Sequence, residues 1–460
     1  MKRLLAILTL TMGLASYHAE AAQTYVPKEK KVQKAKKQKD TSSVKTGFSW
    51  SALPGVSYST DQGFQVGAFG HFYWHGDGRY YPQPIHDIGW EVSWFTHGRT
   101  RAYVSYDSKF IIPKTRFNGS VTYVNDPMYN FFGFNGAAQK YDRKKGAAQN
   151  GMHRDMVRVL ADFQGEILPN FKWAAGLAYW GFWTKPMQGR FFNKYCTDEQ
   201  GNADDRTFYT QYVNAGLIRE NEKNGGHCME FKAGLVYDSR DQEAAPNKGI
   251  WAELYTYGSP NMLGSGYNYM KLAAHFRHFV SFPWKWKGGG IVFAYHLAYQ
   301  GTIAGEAPYY IQQNVNTLIL RQMISEGLGS SNTVRGLAGN RIIADGVAWA
   351  NVDLRIKLVS FKLWKQFFYI GLCPFYDMGM VVQPYRMLEH YDYMRTLEPD
   401  LSIESYKKMV YTPVHNIGIG AKVGWNENFI GSVEVAKCLN QKERGMDDGL
   451  WISIGVGYAF

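Results

Sequence analysis

Gly449-Leu450-Trp451-Ile452-Ser453-Ile454-Gly455-Val456-Gly457-Tyr458-Ala459-Phe460 closes the chain, and it alternates without a break. Leu450, Ile452, Ile454, Val456, Tyr458 and Phe460 share one face. Gly449, Trp451, Ser453, Gly455, Gly457 and Ala459 share the other. Successive side chains of a strand point to opposite sides, so this run predicts a strand with one apolar face and one small, mostly polar face. About 9–11 tilted residues cross a bilayer in this form, with aromatic residues at the membrane edges. The expectation is a transmembrane antiparallel β-barrel.

The same alternation recurs from Gly47 to the end in about sixteen segments, an even number as single-chain bacterial barrels require. In one of them Ala350, Val352, Leu354, Ile356 and Leu358 point one way, and Asn351, Asp353, Arg355 and Lys357 the other. Four consecutive polar or charged inward positions cannot face a dry core without partners, so they predict a wet lumen. In another, Phe171, Trp173, Leu177, Tyr179 and Trp183 make a lipid face. Connection lengths agree. Short turns at Ile112–Thr115, Pro169–Asn170, Pro283–Lys287, Lys362–Gln366 and Trp425–Asn428 fall on one side of the barrel. The long polar connections Asn125–Arg154, Lys185–His227, Ile303–Ile343 and Gln383–Val414 fall on the other, extracellular side.

Lys2 and Arg3 followed by the apolar stretch Leu4–Ala15 and by Ala19-Glu20-Ala21 read as a secretory signal peptide over residues 1–22. Residues 23–46 form a basic periplasmic tail, with seven lysines between Lys28 and Lys39. That tail is either solvated disorder or a contact for an anionic partner, such as lipid head groups or an acidic periplasmic protein. Much of the net charge of +12 sits there, so the basic balance argues for no nucleic-acid partner. Residues 47–460 form the barrel. Of the four cysteines, Cys196 and Cys228 flank one polar segment and would close a surface loop if joined, although sequence does not fix pairing. His71 and His75 share a strand face, which suits a lumen histidine pair better than a metal site. The chain carries no G-x-S-x-G elbow, no catalytic constellation and no cofactor motif, so it is not read as an enzyme.

Three motifs and the closing residues carry a family resemblance. Val334-Arg335-Gly336-Leu337 lies in a long extracellular connection. Phe375-Tyr376-Asp377-Met378-Gly379 lies on a later strand. Tyr237-Asp238-Ser239-Arg240-Asp241, with Pro246 and Gly249, lies at a periplasmic turn. Ser453, Gly455, Tyr458 and Phe460 resemble the C-terminal β-signal of outer-membrane barrels. In this order the motifs resemble the BamA/TamA/FhaC superfamily of bacterial surface-antigen barrels, in the group without N-terminal POTRA domains.

The resemblance implies an all-β, sixteen-stranded barrel in the outer membrane of a Gram-negative bacterium. It also implies that the long loop folds into the lumen, where Arg335 pairs with Asp377 on the strand marked by Phe375 and Gly379. Leu337 stands where the family usually has an aromatic residue. Asp238, Arg240, Asp241, Pro246 and Gly249 are expected to shape the periplasmic turn. Members of the family insert or translocate polypeptides. The expected surroundings are outer-membrane lipids and lipopolysaccharide, with client outer-membrane proteins as partners. The alternative is a pore or structural partner barrel without insertase activity.

Overall fold

The computed structural model describes residues 44–137, 147–187, 207–243, 245–261, 266–283, 289–320, 327–363, 366–425, 429–440 and 449–456, with 458 and 460. The residues read as a signal peptide (1–22), nearly all of those read as a basic tail (23–46) and Cys196 lie outside the described residues. Sixteen strands follow one another as up-and-down neighbours. They are β1 (Phe48–Ser59), β2 (Gly63–Trp74), β3 (His86–Phe95), β4 (Thr100–Ile112), β5 (Thr115–Asn130), β6 (Gly151–Leu168), β7 (Phe171–Pro186) and β8 (Gly225–Asp238). The second half is β9 (Gly249–Ser259), β10 (Tyr269–Phe282), β11 (Gly290–Gly305), β12 (Gly346–Leu363), β13 (Gln366–Gln383), β14 (Val414–Trp425), β15 (Phe429–Cys438) and β16 (Trp451–Val456). Each pairs antiparallel with the next, and β16 returns to β1 to close the barrel. No described helix is long and apolar enough to cross a membrane; the strands do the crossing.

The faces follow the alternation. On β12, Asn351, Asp353 and Arg355 are buried inside while Leu354 is exposed outside. A bulge between Lys357 and Val359 ends this regularity, so Leu358 and Val359 are both exposed. On β7, Leu177 and Trp183 face outward, and Trp180 and Phe182 are buried inward.

Two expectations change. The lumen beside β8–β14 is filled by chain rather than open, because residues 306–320 and 327–345 descend into it and pack against its polar groups. Lys271 Nζ donates to Gln312 Oε1 (2.6 Å) and to the Asp345 carbonyl (2.9 Å). Gln300 holds Asn314 and Asn316 through their backbones, and Arg277 donates to the Thr317 carbonyl. The polar lumen wall thus serves as the hydrogen-bonding partner of a loop that has no sheet of its own.

The chain end is the second correction. β16 stops at Val456, and Tyr458 and Phe460 turn inward instead of continuing along the lipid face. The Arg355 guanidinium carbon lies 3.9 Å from the Tyr458 ring centroid, and Arg355 Nη2 donates to the Phe460 carbonyl (2.8 Å). Phe460 also packs beside His296 of β11 and Phe279 of β10. A cation–π contact in a desolvated lumen is worth about 2 kcal/mol, which a lipid-facing tyrosine would forgo.

A cap closes the extracellular end. It contains α1 (Phe208–Asn214), α2 (Tyr309–Gln312), α3 (Met387–Leu397) and α4 (Ile403–Tyr411), together with residues 131–137. Tyr212 meets Phe131 and Phe134 edge-on, and Phe134 meets Tyr385 in the same way, with centroids 4.9–5.3 Å apart. Arg386 joins three connections by pairing with Glu222 (2.7 Å) and Glu306 (3.0 Å).

His390 is fully buried in the cap between two hydroxyls, Tyr212 at Nε2 (2.6 Å) and Tyr406 at Nδ1 (2.7 Å). Burial lowers its pKa from 6.5 to about 3, so the folded cap holds the ring neutral. The unfolded cap takes up a proton below its ordinary pKa, so the stability from this group is complete above about pH 6.5. It falls by about 1.4 kcal/mol per pH unit on acidification, until the folded pKa is reached. Protease sensitivity of the cap should therefore rise between pH 6.5 and 4 in the wild type. That component should be missing in His390→Gln, and identical acid profiles would refute the assignment.

Candidate functional site

The register places Asn351 opposite Asp377 and Asp377 opposite Asn416, so three polar side chains of β12, β13 and β14 form one row on the lumen wall. Arg335 docks on this row from the loop. Its Nε donates to Asp377 Oδ2 (2.8 Å) and its Nη2 to Asp377 Oδ1 (2.8 Å), the two-pronged geometry of a guanidinium on a carboxylate. Its backbone N–H donates to the same Asp377 Oδ2 (2.8 Å). Nη2 also reaches Asp353 Oδ1 (2.7 Å), and Nη1 lies 3.6 Å from Glu434 Oε1. The Phe375 ring lies flat beneath the guanidinium, 3.6 Å from its carbon. Arg335, Asp377 and Phe375 are thus brought together on the lumen wall, with Gly379 beside Val334 of the loop.

Charge is balanced locally. Lys422 Nζ donates to Glu434 Oε1 (2.6 Å), and Arg355 Nε lies 3.4 Å from Asp353 Oδ2. Arg335, Arg355 and Lys422 thus face Asp353, Asp377 and Glu434, all buried. Burial alone would lower the Arg335 pKa, but the Asp353 and Asp377 carboxylates outweigh it and hold the group well above its ordinary value. The guanidinium stays charged.

The backbone is fixed as firmly as the side chain. Asn416 Nδ2 donates to the Arg335 carbonyl (2.7 Å), and Asn351 Nδ2 donates to the Thr333 carbonyl (2.6 Å). Gly336 has φ +96°, and an added Cβ would meet Asn416 Nδ2 at 3.0 Å and Ala436 at 3.2 Å. Gly379 leaves room for Val334, whose Cγ2 would lie 2.9 Å from a Cβ there. Val334 and Leu337 are fully buried in a cluster with Leu328, Ile342, Val381 and Val414. Leu337 therefore fills by aliphatic packing the place where the family resemblance led one to expect an aromatic ring.

The periplasmic turn is a second assembly. Arg240 forks onto Asp238 (Nε to Oδ1 2.8 Å, Nη2 to Oδ2 2.9 Å) and stacks 3.8 Å from the Trp251 ring centroid. Asp241 Oδ1 accepts from the backbone of Asn247 (2.9 Å) and Lys248 (3.3 Å). Pro246 is buried, and Gly249 opens β9 at φ +110°. Ala245 of this turn packs with Tyr369 and Ile430, across the periplasmic mouth from β8 and β9. A cavity of about 280 Å³ lies beside it, lined by Lys109, Arg116, Lys172 and Glu243 among others.

Other sequence candidates fall outside these assemblies. His71 Nδ1 contacts Asp87 Oδ1 (2.7 Å), and His75 lies between the Tyr73 and Tyr81 rings. Among the described residues no group of three His, Cys, Asp or Glu side chains is arranged for a metal. Cys228 is buried on β8, and its proposed partner Cys196 is outside the described residues. Sequence reasoning marked Asp353 and Arg355 only as lumen residues, and it missed Glu434, Asn416 and Lys422 at Arg335. Their common signal was inward parity on β14 and β15.

A closed sixteen-stranded barrel whose long extracellular loop is pinned inside by a buried arginine defines the class: an outer-membrane barrel with an inward-folded loop. The model of the Omp85 superfamily domain matches residues 100–460, and the chain belongs to that superfamily. Its barrels insert or translocate proteins at the outer membrane.

Solved structures agree on the fold. The chain is similar to BamA from Haemophilus ducreyi lacking POTRA domains 1–3, at 16% identity and TM-score 0.54, covering 90% of this chain and 70% of that one. It is also similar to CdiB from Escherichia coli, at 8% identity and TM-score 0.50, covering 90% of this chain and 63% of that one. No curated protein matches the sequence.

Removing Arg335 would leave Asp353 and Asp377 buried together without their shared cation. Breaking such a site costs about 3–5 kcal/mol. Arg335→Ala should therefore release the loop, read as protease cleavage within residues 327–345 of the folded barrel. Arg335→Lys should rescue little, since an ammonium cannot fork onto Asp377. Full protection of both variants would show that the loop is held elsewhere.

Proposed function

We propose that this barrel assists insertion, assembly or translocation of client proteins at the outer membrane of a Gram-negative bacterium. The observation that carries the reading is the seam. β1 and β2 pair along all of Phe48–Ser59, whereas among the described residues β1 and β16 pair at Tyr58↔Ile454 and Ser59↔Ser453 alone. Just beyond, Thr60 N donates to the Ile452 carbonyl (3.1 Å), and Ile452 N donates to Thr60 Oγ1 (2.9 Å). A closure this short is weak, and opening it bares unpaired backbone groups that can template an incoming strand. The pinned loop reaches the same corner, since Gly339 N donates to Asp61 Oδ2 (3.0 Å) in the β1–β2 turn. Loop position and seam strength are thereby linked.

The lipid face of the barrel suits outer-membrane lipid and lipopolysaccharide. The lysine-rich tail between Lys28 and Lys39 would add a periplasmic contact with an anionic partner. A pore or scaffold without insertase activity is the competing reading.

Assembly of a urea-denatured client barrel into liposomes should be accelerated by the wild type over empty liposomes, and less so by Arg335→Ala. A Tyr58→Cys/Ile454→Cys disulfide across the seam should remove the acceleration, and reduction should restore it. Acceleration that survives the lock would sink the seam mechanism. No acceleration by the wild type, with conductance that rises when residues 306–345 are deleted, would favour the pore.

A further inference from the structure

The lipid face repeats one polar pair that neither the seam nor the loop uses. At the extracellular edge the Tyr179 hydroxyl of β7 meets His227 Nδ1 of β8 (2.7 Å), and the Tyr376 hydroxyl of β13 meets His415 Nδ1 of β14 (2.5 Å). Toward the periplasmic edge the Tyr106 hydroxyl of β4 meets His86 Nδ1 of β3 (2.6 Å), and the Tyr295 hydroxyl of β11 meets His278 Nδ1 of β10 (3.2 Å). His227 and His415 fall within the first three residues of β8 and β14; His86 opens β3, and His278 lies four residues before the end of β10. All four histidines have outward parity, in step with exposed Phe231, Ile417, Ile88 and Phe276. Each imidazole thus bonds a tyrosine of the adjacent strand through Nδ1, and among the described residues none of the four Nε2 atoms has a partner.

Which nitrogen carries the proton decides what such a pair can do. A phenol O–H is a better donor than acceptor, and a neutral imidazole accepts through its bare nitrogen. Tyrosine therefore donates to Nδ1, and the hydrogen stays on Nε2. That N–H has no protein acceptor. Hydrocarbon tails offer none either, and an unpaired donor in hydrocarbon is costly. Strand ends, however, lie at the level of the headgroups, whose phosphate oxygens are strong acceptors.

Charge at the extracellular edge favours the same ligand. Exposed Lys437 lies opposite Ile417, the next outward residue of β14 after His415. Exposed Lys185 is the next outward residue of β7 after Trp183, whose ring meets His227 edge-on (5.6 Å). Asp155, opposite Trp183 on β6, is already engaged by Asn125 and His153.

We propose that these pairs are seats for lipid phosphate, two in each leaflet. The histidine Nε2–H donates to a phosphate oxygen of the headgroup, and the tyrosine is a positioning residue that fixes the tautomer. Lys185 and Lys437 make the extracellular seats the tighter ones. The seats require a barrel that spans a membrane and are independent of the insertase reading.

Solid-state NMR of the barrel with isotope-labelled histidine in phosphatidylglycerol bilayers tests the seats. The protonated Nε2 signals removed by His227→Asn and His415→Asn should show dipolar coupling to lipid phosphorus. His390, buried in the cap, should show none. Tyr179→Phe and Tyr376→Phe should each weaken the coupling at their own histidine and leave the other pairs unchanged. Hydrogen on Nδ1 in place of Nε2, or absence of phosphorus coupling at both extracellular histidines, would overturn the proposal.

Native mass spectrometry provides a second reading, should the labelled variants fold poorly in bilayers. In maltoside detergent, Tyr179→Phe/Tyr376→Phe should bind phosphatidylglycerol about fivefold more weakly at each extracellular seat, the factor supplied by one net hydrogen bond. Binding of a phosphate-free digalactosyl lipid should be the same in the two proteins. Equal phosphatidylglycerol binding, or an equal loss of both lipids, would refute a phosphate seat.

Discussion

A guanidinium removed from water inside a barrel must bring its counter-charges with it, and the lumen is arranged around that requirement at Arg335. Three strands supply the carboxylates: Asp353 from β12, Asp377 from β13 and Glu434 from β15. Each carboxylate in turn needs its share of positive charge, which brings in Arg355 and Lys422. Arg355 then holds the chain end through Tyr458 and Phe460. Loop, wall and C-terminus are thus three parts of one electrostatic assembly. A buried ion pair contributes little net stability over an apolar filling. Its effect here is positional: only one placement of the loop satisfies all of the charges at once.

The seam is built on the opposite rule. Elsewhere around the barrel, neighbouring strands share longer ladders, and among the described residues the β1–β16 ladder is confined to its extracellular corner. That corner is also where Asp61 receives the loop, so the best-held and least-held parts of the molecule meet there.

The strands were legible because membrane burial forces a two-residue period that nothing else in the chain imitates. The lipid-face run read from Phe171 to Trp183 lies wholly within β7. Arg335 and Asp377 were legible through family motifs, and the facing of Asn351, Asp353 and Arg355 through parity. What escaped depended on contacts distant in sequence. Glu434 reaches Arg335, and Lys422 reaches Glu434, only because the wall brings β14 and β15 to the loop. The helices Met387–Leu397 and Ile403–Tyr411 lie in a connection read only as long and polar, although Ser402 caps the second of them by accepting from Ser405 N (3.1 Å). The inward turn of Tyr458 and Phe460 was hidden by a perfect alternation, because the pattern records what a strand could bury and not what Arg355 offers inside.

Phe460 lies against β10, β11 and β12, well away from β16. The wall can be complete from β1 to β15 while this place is still vacant. Without Phe460 every strand remains, but no ring reaches His296 and no carbonyl at this place reaches Arg355. The ring and carbonyl at position 460 therefore tie the segment after β16 to strands on another part of the wall, and Arg355 has its full set of partners only when they are seated.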